Sequence, residues 1–191
     1  MITQLDFQCI GQVAKHCDNE KLCIAIQEAK DFDLSSLFCS NLLIEALANF
    51  SSTDSFWVNL WNGGVFTSAC GKVKNHFGLK RIWVYYAYSR YILLNGYNDT
   101  ATGFKQKTNE FSLPIPIKEL QVFENKYRNM GFEAFSLTAN FICQNKEKFT
   151  GDVNLDCKND CSCGSEKCGG KTKNNLGIRS SIIKKNSYDK L

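Results

Sequence analysis

With 191 residues, 43% of them hydrophobic and fourteen of them Phe, the chain has material for one ordinary domain plus a tail; two full domains would be cramped. Only two prolines occur, Pro114 and Pro116, which argues for long uninterrupted helices over a turn-rich sandwich. The net charge of +4 is unevenly placed: residues 1–145 carry 13 Lys/Arg against 13 Asp/Glu, whereas residues 146–191 carry 10 against 6. The body is neutral and the tail electropositive, which suits either docking on an acidic surface or plain solvation.

The opening MITQLDFQCIGQV has no basic n-region and no apolar h-region, so no secretory leader is expected. The most apolar stretch, Ile82 to Leu94, is interrupted by Ser89 and Arg90, so no membrane span is expected either. In a reducing cytoplasm ten cysteines read as thiols or metal ligands rather than a disulfide framework.

Asp18 is placed to cap a first helix that runs to about Asp31, with Glu20 in its first turn and Leu22, Ile26 and Ala29 at helical spacing. Asp33 is placed to cap a second, whose stripe is Leu34, Leu37, Phe38, Leu42, Ala46 and Phe50. A short third helix from Thr53 carries Phe56, Trp57, Leu60 and Trp61, and the pair Gly63–Gly64 ends it. The stretch GLKRIWVYYAYSRYILLNGYN follows, apolar nearly all round. A helix of this kind must be covered on several sides, by its own domain or by a neighbouring subunit. Its tyrosines, among them Tyr85, Tyr88 and Tyr91, bring hydroxyls that seek partners, as at subunit interfaces.

Residues 96–115 open with Gly, Asn, Asp and Thr, hold the isolated Phe104 and Phe111, and close on two prolines. This is too long for a simple connection and reads as an extended loop or β-hairpin arm, reaching roughly 30 Å at about 3.3 Å per residue. Lys105 and Lys107 on it either face DNA in a channel or keep an exposed strand soluble. Ile115–Pro116 starts the last helix, with Pro in its first turn and the stripe Leu120, Phe123, Tyr127, Phe135, Thr138 and Ile142; Gly131 marks a bend or break. The expected fold is thus mainly α: a bundle of four to five helices over residues 1–148, an arm at about 96–115, and an irregular, cysteine-rich basic tail over 149–191.

Nothing points to catalysis. His16 adjoins Cys17, but neighbours in sequence do not form a nucleophile–base pair, and no His-Glu-x-x-His or Gly-x-Ser-x-Gly is present. In the tail, Cys157, Cys161, Cys163 and Cys168 lie close enough for a tetrahedral zinc site, though more compressed than paired knuckles. The alternatives to structural zinc are reduced thiols and disulfides formed after release from the cell.

The order ITQLDF, VAKHCDNEKLCIAIQEAKDFDL, an aromatic helix ending in NGG, and YYAYSRYILLNGYNDTATGFKQKTNEFSLP resembles the head–tail connector (adaptor, or neck ring) proteins of tailed bacteriophages, especially those of Bacteroides-infecting, crAss-like phages. The resemblance covers residues 1–148 and not the cysteine tail. It implies a non-enzymatic structural virion protein: a subunit of a homo-oligomeric, generally dodecameric ring, assembled in the host cytoplasm. The ring would join the portal protein to downstream tail or neck ring proteins and line the DNA channel, touching viral DNA non-specifically and no membrane. No cofactor is then required beyond a candidate structural zinc. The competing reading is a helical binding module whose zinc knuckle recognises nucleic acid or a protein.

Overall fold

The computed structural model describes residues 2–10, 19–68, 70–101, 103–106, 115–151, 153 and 155. The cap expected at Asp18 therefore lies outside the described residues. Among the described residues, a 3-10 turn, Gln4–Cys9, is followed by five helices of eight residues or more: α1 (Asn19–Glu28), α2 (Ser40–Ala48), α3 (Ser55–Asn62), α4 (Gly78–Gly96) and α5 (Ile117–Gln144). Between α3 and α4 lies an antiparallel hairpin of β1 (Gly64–Thr67) and β2 (Val73–His76). A second, of β3 (Tyr97–Thr100) and β4 (Gly103–Gln106), follows α4 directly. The fold is a small, mainly α bundle with a hairpin arm.

α4 is the axis of the core because its sequence is apolar on every face. Leu79, Ile82, Trp83, Val84, Tyr86 and Ala87 are all buried, and α1, α3 and α5 of the same chain pack against it. The indole N–H groups at this junction are satisfied: Trp83 Nε1 donates to the Ile26 carbonyl at 2.8 Å and Trp61 Nε1 to the Ala46 carbonyl at 3.0 Å.

α3 forms where the aromatic spacing predicts it, capped by Asp54, whose carboxylate accepts from the Phe56 amide at 2.7 Å. Gly63 ends it at φ 83°, and a Cβ there would lie 2.6 Å from the His76 carbonyl. That close approach lets the β1–β2 hairpin fold back on the helix end.

Several boundaries differ from the sequence expectation. α1 does not stop near Asp31; it widens into a π stretch, Ala29–Leu34, followed by one helical turn, Ser35–Leu37. Asp33 lies buried inside that stretch instead of capping the next helix, because two arginines from α4 and α5 hold its carboxylate. The break comes at Phe38, which is extended, and α2 restarts at Ser40. Pro116 sits at the N-cap of α5, one residue before its first turn.

α5 runs unbroken through Gly131 for 28 residues, so the break expected there is absent. A Cβ at Gly131 would meet Tyr86 Cε2 at 2.8 Å, so the glycine is there to let α4 and α5 approach. The limit of the body also moves. Phe149 is buried, edge-on to Phe56 at 5.4 Å and Trp57 at 5.5 Å. The Thr150 amide donates to the Glu45 carboxylate, and Val153 and Leu155 pack on the core. A boundary after 148 cuts through the core.

Candidate functional site

Two features position the surfaces this bundle presents: an ionic knot that fixes its helices, and the two hairpins set on the ends of α4. In the knot, Arg90 Nε donates to one Asp33 oxygen at 2.6 Å and Arg128 Nη2 to the other at 2.9 Å. Arg90 Nη1 also reaches Glu28 at 3.1 Å, and Arg128 Nε lies 3.7 Å from Glu124. The Asp33 hydrogen bond raises the pKa of Arg90, with Glu28 adding to it. Arg90 covers the Phe32 ring and Arg128 the Tyr86 ring. Burial pushes the Tyr86 phenol up to about 12, so it stays neutral beside this cluster. The knot ties α1, α4 and α5 together.

The arm begins where α4 ends. Tyr97 pairs with Gln106 and Thr100 with Gly103, and Lys21 of α1 donates to the Tyr97 carbonyl at the root of the arm. Four-residue strands at about 3.3 Å per residue span ~13 Å, less than half the reach expected of the whole segment. Lys105 sits exposed on β4, its backbone paired with Asn98. Phe104 is on β4 opposite Asp99; Phe111 and Lys107 lie outside the described residues.

The tyrosines expected at a subunit interface pack into the core of this chain. Tyr85 and Tyr91 are buried. Tyr88 is half-buried, edge-on to Tyr127 at 4.6 Å and stacked on Tyr91, with its phenol pKa raised by burial. The apolar excess of α4 is covered by its own chain, which leaves Tyr85 and Tyr91 no surface for a neighbour.

The other hairpin has two unlike faces. Inward, Phe66 and His76 pack on Phe141 of α5, and the His76 imidazole lies flat on the Phe141 ring at 4.2 Å and 8°. His76 is 1% exposed, with neither ring nitrogen hydrogen-bonded, and burial lowers its pKa to about 4. Outward, Val65 and Val73 stand 64% and 71% exposed. Beside the hairpin, a cleft of about 400 Å³ is lined by Leu5, Asp6, Asn62, Asn75, Lys80 and Arg81, among others. Lys80 Nζ pairs with Asp6 at 2.7 Å, and the Arg81 guanidinium sits over Phe77 and Tyr85. Burial works against the Asp6 carboxylate, but the hydrogen bonds from Lys80 and Thr3 outweigh it and lower the pKa.

His16, Cys17 and the tail cysteines Cys157, Cys161, Cys163 and Cys168 lie outside the described residues. Among the described residues no group of three His, Cys, Asp or Glu is arranged to hold a metal, and no helix is long and apolar enough to cross a membrane. Cys23, Cys39 and Cys70 are outside any disulfide, whereas Cys143 is disulfide-bonded, which corrects the all-thiol expectation at that position.

Sequence reading missed the knot and the β1–β2 hairpin. The knot had a signal: an arginine within YYAYSRYILL requires a buried or half-buried acid. The hairpin had only its alternation, Val65-Phe66-Thr67 and Val73-Lys74-Asn75-His76, across a turn whose Gly71 has φ 76°.

Residues 39–162 match a family described as a family of unknown function, DUF6712. The match takes in both hairpins, α4 and α5, and stops between Cys161 and Cys163. No curated protein and no solved structure matches the chain.

Proposed function

This chain belongs to the DUF6712 family of unknown function, and we propose that it is a structural virion protein, a subunit of the connector ring joining a phage portal to its tail. The resemblance of residues 1–148 to head–tail connectors is one support. The observation that carries the reading is the rooting of the arm: β3 continues α4 without a break, and α4 is the buried axis of the bundle. A hairpin set on such a helix keeps its direction relative to the body. A ring subunit needs this to reach its neighbour, or the next ring, in a fixed geometry.

The protein acts by assembly and not by turnover. In this reading the body supplies the ring wall, the arm and the tail reach the portal and the next ring, and Lys105 with Lys107 contributes weak, sequence-independent contact to DNA phosphates. Tight DNA binding would oppose ejection, so two lysines per subunit suit the task. Shortening 99–111 tests this: monomer stability should be kept and assembly on the portal lost, and unchanged assembly removes the arm from the mechanism.

A further inference from the structure

The cleft beside the β1–β2 hairpin combines one uncompensated positive charge with apolar walls. Two cations and one acid line it. Lys80 is matched by Asp6 at 2.7 Å, whereas Arg81 meets no carboxylate among the described residues. Arg81 is nevertheless held in place. Its Nε donates to the Tyr85 hydroxyl at 3.3 Å, and its guanidinium lies 5.1 Å from the Phe77 ring centre and 5.7 Å from that of Tyr85. Its two Nη groups make no hydrogen bond among the described residues and remain as a planar fork, the donor geometry that matches a carboxylate. α4 opens with Gly78, Leu79, Lys80 and Arg81 and has no acid in its first turn, so the helix dipole adds to the positive potential here. The walls are otherwise uncharged: Leu5, Ile10 and Val84 supply hydrocarbon, with Leu5 itself 69% exposed.

We propose that this cleft binds a short apolar monocarboxylate, its carboxylate on the Arg81 fork and its hydrocarbon stem against Leu5, Ile10 and Val84. The charge count selects the anion. One uncompensated cation matches one negative charge, whereas a phosphate dianion calls for a second, and Lys80 is already committed to Asp6. The apolar walls select the stem, because a compact inorganic anion would leave them wet. A volume of about 400 Å³ lies at the lower end of small-molecule sites and admits a stem of a few carbons, but no folded partner. The exposed side-chain amides of Asn62 and Asn75 make no hydrogen bond among the described residues and line the same cleft, offering polar contacts without charge. This site is independent of the ring reading, so either can fail without the other.

The test is saturation-transfer difference NMR on the full chain, with 4-methylpentanoate and its primary amide as probes and inorganic phosphate as competitor. The acid should bind saturably with a Kd of about a millimolar, and the amide about tenfold more weakly. Arg81→Gln should weaken the acid by about tenfold or more, whereas Lys105→Gln, which removes the same charge from the arm, should leave it unchanged. Asp6→Asn releases Lys80 and should tighten the acid by about threefold or more, an opposite sign that no loss of fold imitates. Equal binding of acid and amide, or an Arg81→Gln protein that binds as well as wild type, overturns the proposal. Displacement of the acid by an equal concentration of phosphate overturns it too, by making the site one for compact anions. Equal weakening by Arg81→Gln and Lys105→Gln also overturns it, by reducing the effect to net charge.

Discussion

Asp33 and Arg90 lie 57 positions apart and meet at 2.6 Å, with Asp33 only 5% exposed. The other Asp33 oxygen takes Arg128, so one carboxylate balances two guanidinium groups from two helices. Removing the acid leaves Arg90 only Glu28, and Arg128 only Glu124 at 3.7 Å, to balance their charge. Asp33→Asn should therefore destabilise the fold by about 3 kcal/mol, read from the midpoint of urea unfolding. A change under ~1 kcal/mol would mean that Glu28 and Glu124 suffice without it.

The sign of the Gly131→Ala effect separates two accounts of that glycine. As a bend in an otherwise helical run, Gly131 would give way to alanine with a gain of about 1 kcal/mol in helix propensity. As the contact point against Tyr86, with 2.8 Å to the ring, it should cost roughly 1–3 kcal/mol, because the two long helices must part or the ring must turn.

His76 gives stability a pH dependence. In the unfolded chain it takes a proton near 6.5; in the fold, buried on Phe141 without a partner, it does so only near 4. The contribution is fully present above pH 6.5 and is lost as pH falls from 6.5 towards 4, reaching about 3 kcal/mol. His76→Phe keeps a ring against Phe141 and should flatten the slope of unfolding free energy between pH 6.5 and 5. An equal slope in wild type and variant would place the titration elsewhere.

Two truncations locate the end of the body. Ending the chain after Lys148 removes Phe149 from between Phe56 and Trp57 and should cost at least about 3 kcal/mol. Ending it after Leu155 keeps those rings, together with Val153 and Leu155, and should leave unfolding within ~1 kcal/mol of the full chain. Equal stability of the two would return the boundary to 148.

The parts legible in the sequence are those set by local patterning. The aromatic spacing of α3 with its glycine stop, the all-round apolar character of α4 and the stripe of α5, except for Phe123, which stands 45% exposed, each follow from periodicity and capping. What escaped depends on contacts distant in sequence. Asp33 looks like a cap until Arg90 and Arg128 are seen to claim it, and Gly131 looks like a break until Tyr86 is seen beside it. The tyrosines of α4 showed that they must be buried, but whether by their own chain or by another was decided by α1, α3 and α5. Phe149 stands alone in a polar stretch and carries no periodicity, so its place in the core was invisible. The valines of the β1–β2 hairpin were short of pattern for a similar reason: four-residue strands hold too few alternations to stand out.

The measurement that bears most directly on the proposed role is negative-stain microscopy of the purified full-length chain mixed with its cognate portal protein. A connector subunit should appear as closed rings stacked coaxially on the portal. A chain that stays monomeric at micromolar concentration and shows no affinity for the portal would contradict the account.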